Sequence, residues 1–64
     1  MIYIDNNKLT IQNYKKVLKV SDLEIVFIFL KQTVFVKGDN LSISYFEKDE
    51  FQIQGKISTI EFYD

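Results

Sequence analysis

Few residues of this sequence could do chemistry. Glu47, Asp49 and Glu50 form its acidic cluster, with Lys48 among them. Paired carboxylates serve as acid and base in glycoside hydrolysis. Here they fall in one polar run, which reads as a solvated loop between strands. Asp22, Glu24 and Asp39 offer oxygen ligands for a hard cation, but no spacing resembles a calcium loop. The chain has no His and no Cys, which removes the commonest general base, thiol chemistry, disulfides and Cys/His zinc sites. Gly38 and Gly55 stand singly and form no phosphate-cradling run. With Arg also absent, catalysis is the weakest reading. No catalytic residue, metal or cofactor is expected.

Binding through charge or stacking fares little better. Eight basic residues, all Lys, face nine acids, for a net charge of −1. Only Lys15, Lys16 and Lys19 lie close together, as on a solvated face. Six Phe and four Tyr suit a sheet that stacks single-stranded bases, with Tyr14 and Tyr45 as candidates. Such a sheet needs a positive groove, which the overall charge opposes. A small OB- or Sm-like β-barrel binding RNA is therefore the runner-up, and nucleic acid is a disfavoured partner.

What remains is contact between proteins, and chain length points the same way. Sixty-four residues form one domain, residues 1–64. A domain of this size buries only about 60% of its unfolded surface. Small scaffolds usually add a disulfide, a metal or a partner. Without Cys or His, association with itself or with another protein is the remaining support. The lack of Cys fits a reducing cytoplasm. The apolar start Met1–Ile4 is followed at once by Asp5, Asn6 and Asn7, so no signal peptide is expected. The longest apolar run, Ile25 to Leu30, is far shorter than the ~20 residues of a spanning helix, so no membrane insertion is expected.

The elements that carry these residues read as strands. Period-two alternation among Ile, Val, Phe, Tyr and Thr dominates,. Strands are expected at Met1–Ile4, Lys8–Gln12, Val17–Val20, Leu23–Leu30, Val34–Lys37, Leu41–Phe46 and Phe51–Gln54, the last interrupted at Gly55 before Ile57–Phe62 ends the chain. Turns or corners are expected at Asp5-Asn6-Asn7, Asn13-Tyr14, Ser21-Asp22, Lys31-Gln32 and Gly38-Asp39-Asn40, with a polar loop at Glu47–Glu50. Gly55 marks a bulge or a close backbone approach. Ile57 is out of phase with Ile60 and Phe62, which a bulge near Ser58-Thr59 would reconcile. Val36–Ile43 and Ile53–Ile60 echo each other around Gly38 and Gly55, as one hairpin geometry used twice. The fold class is all-β: a small antiparallel meander of about six to seven short strands, folded as a rolled sheet or sandwich.

Leu23 to Leu30 departs from simple alternation. Its β-branched and aromatic residues and its lack of a polar helical face favour strand over helix. Leu23, Ile25, Phe27 and Phe29 point one way; Val26, Ile28 and Leu30 point the other, beside Glu24. Both faces want burial. Either this is the central strand of a sandwich, or one face packs inside and the other is a contact surface. So few residues bury both faces poorly, and a large apolar patch is unusual on a monomer. Val26, Ile28 and Leu30 are therefore the candidate interaction face.

In order along the chain, Leu9-Thr10-Ile11-Gln12-Asn13-Tyr14, Val17 to Ile25, Val34 to Gly38, Leu41-Ser42-Ile43 and Phe51 to Ile57 with Ile60 and Phe62 resemble the YabP/YqfC family of sporulation proteins. The YqfC branch is the nearer. Each piece is generic β sequence; the ordered set is specific. Asn13, Ser21, Asp22, Gly38 and Gly55 match motif positions and read as turns and corners. Relatives often carry Gly where this chain has Lys31-Gln32. The resemblance implies a non-enzymatic protein of endospore formation, acting in the mother-cell cytoplasm. Its expected partner is another sporulation protein, including a membrane-anchored one, or a second copy of itself.

Overall fold

The computed structural model describes residues 1–5 and 7–64. The alternating stretches form six strands: β1 (Ile2–Asp5), β2 (Lys8–Gln12), β3 (Tyr14–Val20), β4 (Glu24–Phe29), β5 (Gln32–Phe46) and β6 (Glu50–Tyr63). All pair antiparallel in one sheet of order β1-β2-β6-β5-β4-β3. β3 to β6 run as a meander. The β1–β2 hairpin joins the far side of β6, so Asn13 carries the chain to the opposite edge. Asn13 has φ 63° there, and its N–H donates to the Asp49 carbonyl at 2.8 Å. The expected Asp5-Asn6-Asn7 turn includes Asn6, which lies outside the described residues; Asn7 has φ 63°.

β5 spans 15 residues, which as straight strand would reach about 50 Å at roughly 3.3 Å per residue. The longest dimension of the molecule is 26 Å, so β5 and its partner β6 must bend. The first part of β5 pairs with β4 and the end of β6, and the last part pairs with the start of β6. The bend between them rolls the sheet over a core of Leu9, Ile11, Ile25, Phe27, Val34, Val36, Leu41, Phe51 and Ile53. Phe27 and Phe51 meet edge-on across it, centroids 5.2 Å apart.

Gly38-Asp39-Asn40 is read from the sequence as a turn; the structure corrects this. The three residues continue β5 through the bend. A Cβ on Gly38 would collide with the Lys56 carbonyl of β6. Gly55, at φ 128°, approaches the Asn40 carbonyl so closely that a Cβ would sit 2.5 Å from its oxygen. The echo between the two segments is thus one bend built from both strands, not two hairpins. Ser58 is the extra residue of a register shift: Gly38 pairs with Ile57, while Lys37 pairs with Thr59. Two further shifts follow along β5, between Asp39 and Ser42 and at Ser44, and the one at Ser44 reverses the phase of the strand's end. Phe46 therefore packs against Tyr14 and Phe51, and Tyr45 turns to the face opposite Ile43.

The turn expected at Lys31-Gln32 lies one residue earlier. Phe29 pairs with Gln32, leaving Leu30 and Lys31 as the turn, with Leu30 at φ 58°. Antiparallel hairpins favour positive φ in two-residue turns because it matches strand twist. The pairing overrides the poor fit of Leu to that conformation. Ser21 fastens the preceding turn: its hydroxyl donates to the Glu24 carbonyl and accepts from the Glu24 N–H, both at 3.0 Å. Asp22 and Leu23 accept backbone hydrogen bonds from Leu41 and Gly38, tying this turn to the bend.

Candidate interaction face

β4 decides which side of the sheet is core. Ile25 and Phe27 are completely buried, with Phe29 packed beside them. The alternate residues Glu24, Val26 and Ile28 take the outer face. Antiparallel register then brings other strands' residues alongside. One row across the sheet is Lys19, Val26, Phe35 and Glu61. The next is Lys16, Ile28, Thr33 and Tyr63. Val26 is buried yet outside the core cluster. Ile28 and Phe35 are half-buried, and Tyr63 is 52% exposed. The Phe35 and Tyr63 rings meet edge-on at 5.4 Å.

Charged residues frame this strip. Lys19 Nζ lies 3.0 Å from Glu24 Oε1, and Lys37 Nζ lies 3.2 Å from Glu61 Oε1. The Glu61 hydrogen bond, reinforced by its charge, raises the Lys37 ammonium above the usual lysine range. Thr33, Phe35, Lys37, Glu61 and Tyr63 line an open groove here. The arrangement is an apolar centre with a rim of both charge signs, which suits contact with a protein surface.

Of the sequence candidates, Val26 and Ile28 share this face. Leu30 does not belong to the strand; it occupies the turn at the end of β4, 69% exposed. Phe35 and Tyr63 were missed. Phe35 was readable, since Val34 and Val36 flank it as core residues. Tyr63 was readable as well, since Ile60 and Phe62 share the core-side phase after the bulge at Ser58 and leave Tyr63 on the other face.

The other candidates serve the fold. The Tyr14 hydroxyl donates to the Glu47 carbonyl at 2.8 Å, and its ring packs edge-on against Phe51 at 4.8 Å. Tyr45 is 41% exposed, but the Glu47 carboxylate, by hydrogen bonding, holds its phenol above the usual range. An acidic neighbour disfavours a phosphate backbone there. In the acidic loop, Glu47 N–H donates to the Glu50 carbonyl at 2.8 Å, and Gln12 Nε2 donates to Glu50 Oε1 at 2.9 Å. Among the described residues, no three acidic side chains converge as metal ligands, and no helix is long and apolar enough to cross a membrane.

Compared with known proteins, the chain matches the model of the YabP family over residues 1–64. No curated protein and no solved structure matches it.

Proposed function

This chain belongs to the YabP family, and from that premise we propose that it is a non-enzymatic protein of endospore formation that works as a small docking module. Family membership fits a sporulation-associated role. The finer reading places it nearer the YqfC branch, in the mother-cell cytoplasm, bound to another sporulation protein. The observation that carries the docking reading is the strip Val26, Ile28, Phe35 and Tyr63. These side chains lie on the face of the sheet turned away from the core, and three of them keep solvent exposure. Covering such side chains is worth roughly 1.5–3 kcal/mol each when complete, and the ion pairs at the rim would orient the partner.

The test is co-purification from sporulating cells with wild type and with Ile28→Asp. A partner retained by wild type and lost by a folded Ile28→Asp chain supports the reading. If Ile28→Asp keeps its partner, the face is wrong. If it unfolds the isolated domain, Ile28 is core and the docking face is withdrawn.

A further inference from the structure

The two edges of the sheet are built differently. β3 bears Lys15, Lys16 and Lys19 and is broken by two register shifts. Charge and bulges are the usual devices that keep an edge from pairing with another chain. β1 has neither. Its register against β2 is unbroken, Ile2 with Ile11 through Asp5 with Lys8, and its only charge is Asp5 at the end.

The hydrogen bonds of the β1–β2 pair fix which backbone groups face outward. Met1 N donates to the Gln12 carbonyl at 3.0 Å, and Gln12 N–H donates to the Met1 carbonyl at 2.7 Å. Met1 and Gln12 are thus a hydrogen-bonded pair. Antiparallel pairs alternate, so Tyr3–Thr10 and Asp5–Lys8 are hydrogen-bonded, while Ile2–Ile11 and Ile4–Leu9 are not. The N–H and C=O groups of Ile2 and Ile4 therefore point to the open edge.

We infer that this edge pairs with the β1 edge of a second copy of the chain, antiparallel about a two-fold axis at Tyr3. In that register Ile2 of each copy opposes Ile4 of the other, and each such pair exchanges both of its N–H···O bonds. Every outward backbone group of Ile2 and Ile4 is then satisfied. Tyr3 opposes Tyr3 in the close, non-hydrogen-bonded position, where cross-strand aromatics pair well. Ile4, 62% exposed, comes beside Ile2, which already packs against the core. The two Asp5 carboxylates fall at opposite ends of the pairing, away from each other. The same operation on β3 would bring its lysines together. A four-residue edge buries well below the standard interface area of about 1,600 Å², so the dimer is weak and concentration-dependent.

The experiment uses the whole chain. Sedimentation across a concentration series is expected to show reversible dimerisation. Amide exchange by NMR is expected to show Ile2 and Ile4 protected only at high concentration, with Tyr3 protected throughout. Ile4→Pro removes an outward N–H without touching the β2 ladder and should weaken dimerisation by about tenfold or more. A chain that stays monomeric, or whose Ile2 and Ile4 amides exchange fast at every concentration, overturns the proposal. So does a dimer insensitive to Ile4→Pro. If that dimer is dissolved instead by Ile28→Asp, the outer face is the self-contact. Loss of the sporulation partner in Ile28→Asp with intact β1 pairing leaves this proposal standing.

Discussion

Gly38 of β5 and Lys56 of β6 cross so tightly that the Lys56 carbonyl occupies the place of a Gly38 Cβ. Their neighbours Gly55 and Asn40 make the reciprocal contact from the other strand. This crossing lies in the bend that folds the sheet over its core.

Gly38→Ala and Gly55→Ala should each destabilise the domain by about 2 kcal/mol or more, since both obstacles are backbone and Gly55 adds the strain of positive φ. Thermal or urea unfolding measures this. Circular dichroism should still show β structure wherever the variants fold. A loss smaller than about 0.5 kcal/mol at both positions would mean that the strands separate easily here.

Leu30 gives the opposite sign. It adopts φ 58° in a turn that favours Gly, and as an exposed residue it contributes no core packing. Leu30→Gly relieves roughly 1–2 kcal/mol of left-handed strain against an added chain entropy of about 0.5–1 kcal/mol. The net expectation is stabilisation by up to about 1 kcal/mol, seen as a higher midpoint in urea. If the outer face docks a partner, that binding should be unchanged, because Leu30 is not on that face.

The strands were legible in the sequence because alternation survives wherever one face is buried: Leu9 and Ile11, Val34 and Val36, Phe51 and Ile53 sit two apart within expected strands, and the structure puts all six in the core. The apolar outer face at Val26 and Ile28 was legible for the converse reason, because alternation fails along β4; Val26 is buried there and Ile28 half-buried. The bend was not. Gly-Asp-Asn favours a turn locally, and only the pairing of Gly38 with the distant Ile57 keeps it in strand. Tyr45 and Phe46 were hidden by the shift at Ser44, since one inserted residue exchanges the faces of all that follow; the bulge at Ser58 was legible from the phase of Ile57 against Ile60 and Phe62. The place of β2 beside β6 rests on tertiary pairing that no local pattern encodes.

The Lys37–Glu61 pair predicts a pH dependence in alkaline solution. Glu61 raises the Lys37 pKa above its ordinary value in the folded chain, first through its hydrogen bond and then through its charge. A raised pKa means that the folded state holds the proton more tightly. The stabilisation is therefore full below the unfolded value and is lost as pH rises through the folded one. An NMR titration should find Lys37 deprotonating after an ordinary exposed lysine. Glu61→Gln should return it toward the ordinary range, and added salt should shrink the difference.

Phe27 and Phe35 offer the sharpest contrast between core and candidate contact surface. They lie on adjacent paired strands, one residue out of register, Phe27 opposite Val34 and Phe35 opposite Val26, so they point to opposite faces. Phe27 is completely buried, and Phe27→Ala should cost about 3–5 kcal/mol. That is a large share of the roughly 3–10 kcal/mol expected for 64 residues,; much of the population should be unfolded at 25 °C. Phe35 is half-buried and rests on Tyr63 and its strand neighbours. Phe35→Ala should cost only about 1–2 kcal/mol in the isolated domain and leave it folded. If the outer face docks a partner, the same substitution should weaken that complex by at least about tenfold, as loss of an aromatic anchor typically does. Stability and partner affinity measured on both variants separate the roles. Equal destabilisation by the two substitutions, with no added effect on binding from Phe35→Ala, would make the outer strip a second core instead of a contact surface.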